Sequence, residues 1–232
     1  MNDSIAVIQK YMELRNQVGA GGGVEFEAKF LDIDVDSMRK KVRKLGGTLI
    51  HDRKKYVRAA YDLCSDKVPG YARVRQEDKF VTMTVKTYEN KDFPKEFEVT
   101  IKEDFATGRE FMEALGLREK AFQESYREKW GMPNHPDVTE ITFDDLPGIP
   151  TYIEVDCKTE EALNMMIREL DLDTSKKRFG AFDRTYEEYY GIERIIINTR
   201  TPSLTFKNVK NELDIKKNNE LFNKVAERQR DW

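Results

Sequence analysis

Along the chain, about eight segments alternate apolar and polar residues with the period of two that a half-buried strand imposes. VEFEAKF (24–30) sets Val24, Phe26, Ala28 and Phe30 against Glu25, Glu27 and Lys29. GYARVRQ (70–76) sets Ala72 and Val74 against Arg73 and Arg75, and KFVTMTVKTY (79–88) sets Val81, Met83 and Val85 against Thr82, Thr84 and Lys86. KEFEVTIK (95–102) opposes Phe97, Val99 and Ile101 to Glu96, Glu98 and Lys102, and TYIEVDC (151–157) opposes Ile153 and Val155 to Glu154 and Asp156. TLIHDRKKYVRAAYDL (48–63), FQESYREKW (122–130) and VTEITFDDL (138–146) also read as strands, separated by turn-prone clusters.

A helical period takes over between these segments. Met38, Val42 and Leu45 form a stripe over 34–47, stopped by Gly46-Gly47, and Leu163, Met166, Ile167 and Leu170 form another over 159–170. Residues 107–116 read as a helix with Thr107 and Glu110 in capping-box register, and 182–192 as a short last helix of the domain. At the N-terminus, Ile5, Ile8, Met12 and Leu14 lie at helical spacing before the run GAGGG (19–23), which no Lys-Ser/Thr follows and which therefore reads as a hinge and not a phosphate loop. The expected architecture is α+β: a mostly antiparallel sheet of about eight strands that closes into a barrel, with helices packed outside. One domain is expected over 24–192, preceded by the helix and hinge of 1–23. It is followed by a C-terminal extension, 193–232, whose weak apolar face (208–229) predicts a peripheral segment.

Charge narrows the chemistry. Forty Lys and Arg nearly balance 43 Asp and Glu, for a net charge of −3, so no bulk attraction to a nucleic acid polymer or an anionic membrane is expected. No apolar run reaches the ~18–20 residues of a membrane span. Two cysteines without CxxC spacing and the absence of a signal-peptide pattern fit a cytoplasmic setting, and with only two histidines they argue against a zinc site.

The ordinary reading of each alternating strand is a core face and a solvated face. Here, however, the charges come in tight pairs of one sign: Glu25 with Glu27, Arg73 with Arg75, Glu96 with Glu98, and Glu154 with Asp156. Arginine suits bidentate contacts to phosphate. If the sheet curls with its apolar faces covered by helices, these charges face one another, at a cost of several kcal/mol per buried ion unless something offsets it. Carboxylates without His or Cys would hold Mg²⁺, Mn²⁺ or Ca²⁺. Basic pairs would hold the oxygens of a polyanion that the metal bridges, and a linear triphosphate meets both demands.

These motifs resemble the CYTH, or triphosphate tunnel metalloenzyme, superfamily. Glu25-Phe26-Glu27-Ala28-Lys29 is similar to its N-terminal ExExK signature. Arg73-Val-Arg75 and Thr84-Val-Lys86 are similar to its RxR strand and the threonine and lysine strand that follows. SYREKW through Arg127, and DDLPGIPTYIEVD through Asp144, Glu154 and Asp156, are similar to its later basic strand and closing acidic strand. The resemblance spans about 24–192, with two departures: Ser125 stands where the basic strand often has a second lysine, and the closing ExE is ExD.

The resemblance implies a Mg²⁺- or Mn²⁺-dependent enzyme acting on a small triphosphate substrate. Glu25, Glu27, Glu154 and Asp156 would be metal ligands, with Glu25 or Glu27 alternatively activating a water. Lys29, Arg73, Arg75, Lys86 and Arg127 would clamp the phosphates, with Lys29 and Lys86 also catalytic. Glu96 and Glu98 are expected either to hold a second metal or to pair with Arg73 and Arg75. Asp144 is either a turn residue before Pro147-Gly148 or a functional acid. Triphosphate hydrolysis is favoured over cyclisation of ATP to cyclic AMP and pyrophosphate, and a binding module without turnover is the third reading; a homodimer stays open.

Overall fold

The computed structural model describes residues 23–24, 26–64, 69–88, 95–179 and 182–232. The expected helix at 4–18, most of its glycine hinge and Glu25 lie outside these residues. The strands are β1 (Gly23–Val24), β2 (Phe26–Phe30), β3 (Thr48–Asp62), β4 (Gly70–Glu77), β5 (Phe80–Thr87) and β6 (Lys95–Ile101). Then come β7 (Glu119–Gly131), β8 (Val138–Asp145), β9 (Tyr152–Cys157), β10 (Lys177–Arg178) and β11 (Ser203–Leu204). The α-helices are α1 (Val35–Lys44), α2 (Phe105–Ala114), α3 (Glu160–Glu169), α4 (Asp183–Tyr190), α5 (Val209–Glu212) and α6 (Asn219–Gln229).

One sheet runs in the order β1-β6-β5-β4-β3-β7-β8-β9-β2-β10, antiparallel throughout, and β11 adds to β7 in parallel. β1 pairs with β6 (Gly23↔Glu96, Val24↔Lys95), whereas β2, one residue further on, pairs with β9 from Phe26↔Cys157 to Phe30↔Ile153. The sheet is therefore strongly curled, and its two sides meet at one short stretch of chain. The α+β class and antiparallel succession are those expected from the alternation.

Local chemistry sets the helix bounds. Asp34 caps α1 by accepting from Ser37 N (3.0 Å), and Lys41, Arg43 and Lys44 end it in favour of the helix dipole. Gly46 follows at φ +86°, a conformation costly for a side chain. Thr159 caps α3 through Ala162 N (3.1 Å). At α2 the expected capping box is not used. Asp104 is the cap, accepting from Thr107 N at 2.8 Å, and the helix starts two residues earlier than the apolar pattern suggested.

The outer faces of β2, β8 and β9 carry Ala28, Phe30, Ile141, Phe143, Ile153 and Val155, which pack beneath Met38 and Val42 of α1 and Leu163, Met166 and Ile167 of α3. A smaller cluster joins Ala59, Tyr61, Ala72, Val74 and Val81 of β3–β5 to Met112 of α2. Gly108 allows that approach, since a Cβ there would meet Val74 Cγ1 at 2.9 Å. The helices do not cover everything: Phe97 and Val99 on the outer face of β6 are 41% and 52% exposed, as are Phe111 (55%) and Leu115 (60%) at the end of α2. On this side the helical cover is partial.

The C-terminal extension is not peripheral. Ile197, Leu204, Val209, Leu213, Phe222 and Ala226 join Tyr186, Tyr190 and Ile192 in a third core. Gln229 is buried, its Nε2 donating to the carbonyls of Leu146 (3.1 Å) and Ile149 (3.0 Å) while its Oε1 accepts from Gly148 N (2.6 Å). The Arg53 guanidinium carbon lies 3.4 Å from the Trp232 ring centroid and 3.8 Å from that of Tyr126, and the two rings meet edge to face. The lysines and asparagines of 208–229 mask this role, because a few large side chains at wide spacing make a weak periodic signal.

Candidate functional site

Register carries the polar residues of β2 through β9 to the inner, concave face. Glu27 is opposite Asp156, which is opposite Glu140, and one row along, Lys29 is opposite Glu154, which is opposite Thr142. On the other side, Arg58 is opposite Arg75 and Arg75 opposite Thr82, while Arg73, Thr84 and Glu98 form the next row and Tyr71, Lys86 and Glu96 the one after. Because a one-residue slip would send every one of these to the outer face, the alternation itself assembles the site.

On the β7–β8–β9–β2 wall, each cation is locked by acids. Arg127 forms a fork on Asp144 (Nε–Oδ1 2.6 Å, Nη2–Oδ2 2.7 Å) and also reaches Glu154 (3.0 Å) and Glu140 (3.3 Å). Lys29 lies 2.9 Å from Glu154 and 3.3 Å from Glu27, and Lys129 lies 2.8 Å from Glu140. Thr142 Oγ1 donates to Asp144 (2.9 Å). Asp144 is thus an inner-face acid, 2% exposed, and not a turn residue.

Burial alone would depress Lys29 and Arg127. Glu154 with Glu27, and Asp144 with Glu154, outweigh it and hold both cations above their ordinary values. The two carboxyls that share Arg127 diverge. Burial pushes Asp144 up, with Arg127 opposing and the neighbouring Glu154 adding to the rise. Burial pushes Glu154 the same way, but Lys29 and Arg127 together hold it well below the carboxylate range.

On the β3–β4–β5–β6 wall, Arg73 reaches Glu98 (3.3 Å), Glu96 (3.5 Å) and Thr84 Oγ1 (3.1 Å), and Thr84 in turn donates to Glu98 (2.8 Å). Lys86 pairs with Glu96, and Arg75 with Glu77. Glu96 and Glu98 therefore pair with the arginines and Lys86, which was one of the two expectations for them. Donors remain unused: the buried Nε atoms of Arg73 and Arg75 and the buried hydroxyl of Thr82 have no hydrogen-bond partner among the described residues.

The structure gathers Glu27, Lys29, Arg73, Arg75, Lys86, Glu96, Glu98, Arg127, Asp144, Glu154 and Asp156 on this face, while Glu25 is outside the described residues. Further ionic residues that the motifs missed share it, among them Arg58, Glu77, Lys129 and Glu140. Period two would have found them, since Lys129 is two from Arg127, Glu140 is four from Asp144, Glu77 is two from Arg75, and Tyr56 and Arg58 alternate with Val57 and Ala59. Lys129 gives β7 a second cation although Ser125 does not.

The carboxylate set is oxygen-only, which fits a hard divalent cation in kind. Among the described residues no group of three or more His, Cys, Asp or Glu is drawn together to hold a metal. The acids here are spent on Lys and Arg instead.

No protein-family model and no curated protein matches the chain. Among solved structures, the PH1012 protein from Pyrococcus horikoshii OT3 is similar over 68% of this chain and 96% of its own, at 18% identity and a TM-score of 0.56. The PH1819 protein from the same organism is 22% identical over 71% of this chain and 98% of its own, with a TM-score of 0.54. A candidate adenylate cyclase from Vibrio parahaemolyticus is 16% identical over 71% of this chain and 98% of its own, with a TM-score of 0.58. The chain has the fold of these proteins; in this chain the concave face of the curled antiparallel sheet is the charged one.

Proposed function

We propose that this chain is a CYTH-type, divalent-metal-dependent triphosphate phosphohydrolase. The observation that carries the reading is the inner face itself, where the buried Nε donors of Arg73 and Arg75 have no partner among the described residues, beside lysines and arginines most of which are paired with carboxylates. A triphosphate with Mg²⁺ or Mn²⁺ matches that balance. Phosphate oxygens take the cations, and the divalent ion takes carboxylates, so neither sign is left buried alone. Glu27 and Asp156, with Glu25 by alternation and Glu154 beside them, are the residues that would hold the ion, whose contribution when bound is to draw charge from the phosphate oxygens.

Lys29, Lys86, Arg73, Arg75 and Arg127 orient the chain and neutralise charge on its terminal phosphoryl group. Water adds to the terminal phosphorus, the bridging P–O bond breaks, and orthophosphate leaves together with the shortened chain. One further reading has an observation in its favour: the Vibrio parahaemolyticus neighbour is described as a candidate adenylate cyclase, and attack by the 3′-hydroxyl of ATP at its α-phosphorus would give cyclic AMP and pyrophosphate on the same clamp.

Phosphorus NMR of the protein with tripolyphosphate, thiamine triphosphate or ATP, each with Mg²⁺ or Mn²⁺, separates the two. Orthophosphate is the expected product; cyclic AMP would overturn hydrolysis, and binding without turnover would reduce the chain to a polyphosphate-binding module. Glu27→Gln and Arg75→Ala are expected to abolish turnover with the fold retained, since neither side chain enters an apolar core.

A further inference from the structure

Arg58 stands apart from every other inner-face cation. Lys29, Arg73, Arg75, Lys86, Arg127 and Lys129 each have a carboxylate within ion-pair distance. Arg58 has none among the described residues. Its Nε donates to the neutral Gln123 Oε1 (2.9 Å), and its guanidinium lies 4.2 Å over the Phe182 ring. It is also directly opposite Arg75 in the ladder, a like-charge pairing that destabilises a sheet unless an anion lies between. Burial, with Arg73 and Arg75 contributing, lowers its pKa to about 10, the direction expected of a cation lacking its counter-ion. The next residue in the same row is Thr82, fully buried with an unpartnered hydroxyl, and Arg75 Nε beside it is unpartnered too.

We propose that the row Gln123–Arg58–Arg75–Thr82 is a tetrahedral-oxyanion subsite that binds a phosphoryl group without a divalent cation. The physical reason is the difference in pairing. At Lys86 or Arg127 an incoming anion must displace a carboxylate, which a metal then has to satisfy. At Arg58 there is no carboxylate to displace, and Arg75 Nε and Thr82 Oγ1 supply further donors. The subsite extends the phosphate clamp proposed above and rests on that reading only for the identity of the anion. It serves either the terminal phosphoryl group of the substrate or the orthophosphate released.

Calorimetric titration of the full chain with orthophosphate in EDTA tests this. The wild type is expected to bind. Arg58→Gln should weaken binding roughly tenfold or more, as loss of a charge-assisted contact does, and Arg58→Lys should restore part of it. Thr82→Val should weaken it to a smaller extent with the melting temperature unchanged, which separates binding from folding. Orthophosphate binding that requires Mg²⁺, or that Arg58→Gln leaves intact, overturns the subsite. With tripolyphosphate and Mg²⁺, a raised KM in Arg58→Gln assigns the subsite to the substrate, whereas weaker inhibition by orthophosphate at unchanged KM assigns it to the product. If no triphosphate is turned over by the wild type while orthophosphate still binds through Arg58, the hydrolase reading falls and the subsite stands.

Discussion

The two walls of the curled sheet solve the same problem differently. The β7–β8–β9–β2 wall is closed on both faces: outside, it is covered by α1 and α3 over the largest core cluster, and inside, Arg127, Lys29 and Lys129 are tied to Asp144, Glu154 and Glu140. The β3–β4–β5–β6 wall is open on both. Outside, α2 covers only part of it and leaves Phe97 and Val99 exposed; inside, Arg58 has no acid partner and Arg73, Arg75 and Thr82 hold unused donors among the described residues. Ion-paired cations and unused donors are thus segregated, one to each side, the arrangement that the phosphate clamp proposed above calls for.

The contrast is broken most sharply at its two arginines. Arg127→Met leaves Asp144 and Glu154 buried without their shared cation and is expected to cost about 3–5 kcal/mol in urea unfolding. Arg58→Met, which abandons no acid, should stay within about 1 kcal/mol of the wild type or exceed it. Equal losses would show that the walls do not differ in this way. The next effect is pH-dependent. Glu154 is held below its ordinary value in the folded state, so its contribution is complete above about pH 4 and is lost as pH falls through the folded value. Glu154→Gln should therefore cost about 2–4 kcal/mol at pH 7, with the gap to the wild type narrowing steadily in unfolding curves taken below pH 4. The smallest effect concerns the extension that braces the closed wall at the β8–β9 turn. Gln229→Ala strips partners from Gly148 N and two carbonyls, and a loss of about 1–3 kcal/mol is expected by thermal or chemical denaturation. No change would mean that water replaces the amide.

What the sequence made legible follows from this division. Strand alternation located the inner face, because inward and outward positions differ in chemistry at every second residue, and Glu27, Lys29, Arg73, Arg75 and Glu154 could be placed from it. Arg58 was not legible as a site residue, since it lies in a run of five charged residues among eight, DRKKYVRA, where register and not composition decides which ones turn inward. Whether Glu96 and Glu98 face a metal or an arginine depends on cross-strand pairing, which no local pattern encodes. The C-terminal extension was misread for a related reason: Gln229 and Trp232 are held by partners about eighty residues or more away, at Leu146, Gly148 and Arg53, and such long-range contacts leave no periodic trace.

The seam where the curl meets itself has a kinetic meaning. β1 grips β6 through two residue pairs, while β2 grips β9 through five over a packed core. Opening therefore begins at the weaker side, far below the free energy of global unfolding. Amide protons along 95–97 should exchange with deuterium well before those of 153–155, and each such opening lets water and ions equilibrate with the charged interior while the hydrophobic clusters stay intact.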